Sequence, residues 1–107
     1  MEIKSPEQML AELENLQVAM RHRLRKAALE LTAAKARLKL RFLADADAQG
    51  NPISMAKAQD LVNAELVGGK LNEPWSAWSQ AKTELEACDM RWEDMNRKYW
   101  DTKKDRR

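Results

Sequence analysis

After Pro6 no glycine or proline interrupts the chain until Gly50, and across this span apolar residues recur three or four apart: Leu10, Leu13, Leu16, Met20, Leu24, Ala27, Leu31, Ala34, Leu38 and Phe42. That spacing is one face of a long amphipathic helix, of the kind found in coiled coils and bundles. Its start is written in "SPEQ", with Ser5 as N-cap, Pro6 in the first helical position and Glu7 favourable to the helix dipole. The pattern predicts a helix over about 6–47. "DADAQGNPIS" then breaks the period with Gly50 and Pro52, a turn by composition. Ser54 reads as the N-cap of a short helix over about 54–67, with Met55, Ala58, Leu61, Val62 and Leu66 on one face and Gly68-Gly69 as its stop. After the connection "KLNEPW", where Asn72 is an N-cap candidate and Pro74 falls in the first turn, Trp78, Ala81, Leu85, Cys88, Trp92, Met95 and Tyr99 alternate by three and four. This heptad seam predicts a third helix over about 73–104. The expected fold is all-α, a single helical domain over 1–107 of long helix, short helix, long helix with coiled-coil-like packing. Whether the third helix runs parallel or antiparallel to the first is open at this point.

A second, thinner apolar line runs along the first helix on the side away from the seam: Val18, Leu29, Ala36, Leu40 and Leu43. A lone two-helix hairpin leaves it wet. Either these are scattered surface residues, or the line is covered by the short helix or by another copy of the chain. The expectation is a homo-oligomer, with Val18, Leu29, Leu40 and Leu43 as contact candidates.

In "AKARLKLRFL" the cations Lys35, Arg37, Lys39 and Arg41 alternate with apolar residues in period two, which taken alone suggests a strand. The stretch nevertheless continues the stripe of Leu24 and Leu31 through Ala34, Leu38 and Phe42, so the helical reading holds. Residues four apart are neighbours on a helix, which places Lys35 with Lys39 on one flank of the seam and Arg37 with Arg41 on the other.

Charge sharpens the interest of this stretch. The formal net charge is only +2, too small to signal a polyanion binder in bulk, but the charges are blocked. Residues 21–43 carry Arg21, Arg23, Arg25, Lys26, Lys35, Arg37, Lys39 and Arg41 against Glu30 alone, residues 44–95 are net acidic, and the tail "RKYWDTKKDRR" is basic again. Two accounts compete for the mid-chain block. The carboxylates Glu84, Glu86, Asp89, Glu93 and Asp94 of the third helix could lie alongside and neutralise part of it. Alternatively a polyanion relieves the mutual repulsion of four cations within seven residues. Aromatic side chains near basic runs are candidate stacking groups for single-stranded nucleic acid, Trp100 and Trp75 more so than Phe42 and Tyr99, which fall in the seams.

Catalytic chemistry finds no foothold. His22 sits in "RHRLRK", where neighbouring cations disfavour a metal ion, and reads as a surface residue. Cys88 falls at a seam position and reads as core. "GGK" at 68–70 lacks the spacing of a phosphate loop and is followed by Leu71 where Ser or Thr is needed. No enzyme, cofactor or metal is expected. The single cysteine excludes an internal disulfide and suits a reducing compartment. "MEIKSPEQML" has no secretory character, and no apolar run approaches the ~20 residues of a membrane span, so a cytoplasmic protein is expected.

The order of these features resembles one family. "KARL" at 35–38, a charged glycine-containing turn, "ISM" at 53–55 opening a short helix and a Trp-bearing long helix together resemble the UvsY-like recombination mediators of bacteriophages, over roughly residues 33–97. The resemblance implies that Lys35 and Arg37 contact single-stranded DNA, that the protein oligomerises and is not an enzyme, and that its partners are a single-strand-binding protein and a RecA-like recombinase whose loading it assists. The chain departs from the family pattern after the motif, where Lys39, Leu40, Arg41 and Phe42 replace acidic and aromatic residues. With the residue-level reading added, the expected DNA contacts are Lys35, Arg37, Lys39 and Arg41, with Arg21, Arg23, Arg25, Lys26 and the basic tail as auxiliaries. The rival expectation is a phage-encoded helical interaction protein that inhibits a host nuclease or defence complex, or a structural coiled-coil adaptor.

Overall fold

The computed structural model describes residues 3–105. Among them are three helices and no strand: α1 (Pro6–Ala48), α2 (Met55–Ala64) and α3 (Asn72–Asp105). Arg106 and Arg107 of the basic tail lie outside the described residues. The order and lengths agree with the predicted long, short and long helices.

The start of α1 is a capping box. The Ser5 hydroxyl accepts from the Gln8 amide at 3.2 Å, while the Gln8 side chain accepts from the Ser5 amide at 3.0 Å. After Ala48 the chain turns through Gly50 at φ 76°, a left-handed conformation that glycine adopts without strain. Ser54 caps α2 as expected, in extended conformation and accepting from the Lys57 amide at 3.1 Å.

α2 ends sooner than its predicted stop at Gly68-Gly69. Glu65 leaves the helix and its amide bonds back to the Val62 carbonyl at 3.0 Å, a tightened last turn. Glu65 then organises the reversal that follows: its carbonyl accepts from the Leu71 amide at 2.9 Å and its carboxylate from the Lys70 amide at 2.8 Å. Gly68 takes the left-handed position at φ 73°. Gly69 passes so close to this hub that an added Cβ would stand 2.7 Å from the Glu65 Cα and 2.8 Å from its carbonyl oxygen. Asn72 is not the N-cap expected of it. It is the first helical residue, its side chain accepting from the Gly68 amide at 2.9 Å, and the Trp75 amide bonds to the carbonyl of Leu71.

Packing divides the chain into two compact units, residues 1–24 with 81–107 and residues 25–80. In the first, α1 and α3 run antiparallel, since Leu13 and Glu14 meet Cys88 and Trp92 while Arg23 meets Glu84. Cys88 is buried and its thiol points to the Leu13 carbonyl at 3.8 Å, the core role read from its heptad position. One seam position differs. Leu16 is 39% exposed, whereas the adjacent Gln17 is only 8% exposed and donates to Asp89 Oδ1 at 2.7 Å. Trp92 donates its indole N–H to Glu14 at 3.3 Å.

The second unit is built on Leu38, Val62 and Leu71, with Ala34, Phe42 and Leu66 packed against them. Val62 is completely buried. Met55, expected on the buried face of α2, is exposed, and Leu71, which lies in the connection, is buried in its stead. The reversal from Glu65 returns Leu66 and Leu71 to the core, whereas Met55 stands in the first turn of α2.

Candidate nucleic-acid interface

Burial of Leu38 orients the basic stretch around it. With Leu38 held against Val62 and Leu71, Arg37 and Arg41 fall on one flank and are exposed, while Lys35 and Lys39 fall on the other and are half-buried. The two rails expected from the sequence are therefore present, with unequal exposure.

The arginine rail borders a shallow depression of about 280 Å³ lined by Ala34, Arg37, Leu38, Arg41, Lys70 and Leu71. Three cations thus surround an apolar floor. Lys70 reaches this place because the Glu65 carboxylate holds its amide, and its ammonium lies 5.9 Å from the centroid of the Phe42 ring. Guanidinium groups suit the bidentate geometry of phosphate, and an ammonium adds a point charge beside them. In the sequence Lys70 merely follows the Gly68-Gly69 stop. Its role emerges only once the chain turns back at Glu65, which local pattern does not announce.

Carboxylates answer the basic block only in its first part. Arg23 pairs with Glu84 at 3.0 Å and Arg21 approaches Asp89 at 4.0 Å, both in the antiparallel unit. Lys35, Arg37, Lys39 and Arg41 make no ion pair among the described residues, nor do Arg25 and Lys26. The candidate contacts on α1 are therefore not one cluster. Arg21 belongs to one unit and is partly matched, Lys35 to Arg41 belong to the other, and Lys26 lies about 14 Å along the α1 axis from Lys35.

The second apolar line of α1 remains open in this chain: Val18 is 51%, Leu29 65% and Leu40 66% exposed, and Leu43 is half-buried. α2 does not cover the first three. Residues eleven apart differ by only about 20° around a helix, so these three share one face of α1. His22 is exposed, and no group of three or more His, Cys, Asp or Glu able to hold a metal ion occurs among the described residues. Of the aromatic candidates, Trp100 is exposed, whereas Trp75, Phe42 and Tyr99 are half-buried. No helix among the described residues is long and apolar enough to cross a membrane.

Comparison of the chain with protein-family models, with curated proteins and with solved structures gave no match.

Proposed function

We propose that this chain is a non-enzymatic, oligomeric single-stranded-DNA-binding protein that serves as a recombination mediator, assisting a RecA-like recombinase in a bacterial host cytoplasm. Arg37, Arg41 and Lys70 grip phosphate on one side of the α1 seam, and Lys35 and Lys39 add charge on the other. The observation that supports this reading is the contrast within α1: Arg21 and Arg23 meet carboxylates, while the four cations at 35–41 have none among the described residues. Like charges four apart destabilise a helix by roughly 0.2–0.5 kcal/mol per pair, a penalty that a bound polyanion reverses. One protomer offers few contacts, so useful affinity requires several copies acting together, and the exposed line of Val18, Leu29 and Leu40 offers a place for copies to meet. The recombination role itself rests on the resemblance of the 33–97 region to UvsY-like mediators.

The test is fluorescence anisotropy of a labelled oligonucleotide at several salt concentrations, with light scattering for the size of the assembly. Lys35→Ala with Arg37→Ala should weaken binding and reduce the slope of log affinity against log salt by ~1.4, about 0.7 per lost single-strand contact, with helicity unchanged. Equal affinity in the double variant overturns the assignment of the site. A monomer indifferent to DNA even at low salt favours the rival reading, a helical protein that docks on and inhibits another protein.

A further inference from the structure

Near the end of α3, Trp100 is 55% exposed although tryptophan carries the largest apolar surface of any side chain. It lies outside the heptad seam, one residue after Tyr99, which is half-buried in a cleft shared with Ser5, Pro6 and Glu7 at the start of α1. The two rings meet edge to face, with centroids 5.6 Å apart and planes at 72°. Lys103, one helical turn further on, lies 4.9 Å from the Tyr99 centroid and 5.7 Å from that of Trp100. Its hydrogen bond to Tyr99, followed by a charge interaction with the same side chain, raises the Lys103 pKa above the ordinary lysine value. Among the described residues, the positions three and four away from Trp100 along the helix are Asn96, Arg97 and Lys103, two cations and no carboxylate.

From this arrangement we infer that Trp100 is a stacking platform for an unpaired nucleic-acid base, steadied by the Tyr99 edge, with Lys103 and Arg97 available to the adjoining phosphates. Single-stranded nucleic acid is held by cations along its backbone and by aromatic faces that accept any base, and this end of α3 presents both. A lipid surface is a poorer occupant, because the helix positions around Trp100 are polar or charged and offer no apolar patch to enter a bilayer. The inference rests on the reading of the chain as a single-strand binder and adds a second contact of a different chemical kind to the phosphate grip of α1.

The experiment compares binding of oligo(dT) with binding of an abasic oligonucleotide of equal length, which keeps the phosphates and lacks the bases. The unaltered chain should prefer oligo(dT) by about tenfold, the scale of one stacked base. Trp100→Ala should abolish that preference and leave the salt dependence unchanged, since no charge is removed, while Trp100→Phe should retain most of it. Circular dichroism checks that α3 persists in both variants. A preference that survives in Trp100→Ala, or equal binding of the two oligonucleotides by the unaltered chain, overturns the platform and leaves the α1 phosphate grip standing. Failure to bind either oligonucleotide overturns both, and binding to anionic vesicles abolished by Trp100→Ala assigns the residue to a membrane and overturns the platform.

Discussion

In the unit formed by residues 1–24 and 81–107, cations of α1 face carboxylates of α3, and even the buried polar contact follows this logic, with Gln17 and Arg21 both directed at Asp89. In the unit formed by residues 25–80, α1 carries as dense a run of cations, but the elements packed against it present Val62, Leu66 and Leu71. The two halves of one continuous helix therefore differ in what answers their charge. Where an opposing helix supplies carboxylates, arginine serves packing and pairing. Where the opposing surface is apolar, the cations are pushed to the flanks of the seam and have no carboxylate partner among the described residues. Basic composition alone does not separate these cases.

The largest effect is expected at Leu38, because this residue lies in the core of the second unit and sets the direction of Arg37 and Arg41. Leu38→Ala should destabilise the chain by about 3 kcal/mol, from lost burial and the cavity left behind. Denaturant unfolding measures the loss, and hydrogen exchange should locate it first in residues 25–80. Protection lost equally across both units would show that the division is not energetic. A smaller effect is expected at Gln17. Gln17→Ala removes the donor to Asp89 from a buried position and should cost about 1–3 kcal/mol, seen as weakened exchange protection around Leu13 and Cys88 with the second unit unaffected.

The helices were legible because their signals are local. Ser5 and Ser54 cap where the hydroxyl-first rule places them, α1 ends one residue from the predicted boundary, and nearly every seam position from Leu10 to Phe42 and from Trp78 to Tyr99 is buried or half-buried. What escaped depends on distant partners. The exchange of Leu16 for Gln17 follows from Asp89, which lies 72 residues away and turns a polar side chain into a buried one. The early stop of α2 follows from Glu65 using both carbonyl and carboxylate to hold the reversal, a role that no propensity encodes. At the candidate site the four cations were legible as a density of like charge, whereas Lys70 was not, because its position is a product of that reversal. The division between paired and unpaired cations required the antiparallel course of α3, which the heptad pattern leaves undetermined.

The most direct test of the account removes the same charge from each region. Arg37→Ala with Arg41→Ala, and Arg21→Ala with Arg23→Ala, each subtract two positive charges from α1, so any difference in oligonucleotide affinity reports location and not bulk charge. Measured by anisotropy across a salt series, the first variant should lose about tenfold in affinity and ~1.4 in salt slope, while the second stays close to the unaltered chain. Equal losses in the two variants, or a larger loss at Arg21 and Arg23, would contradict the claim that unmatched cations form the interface.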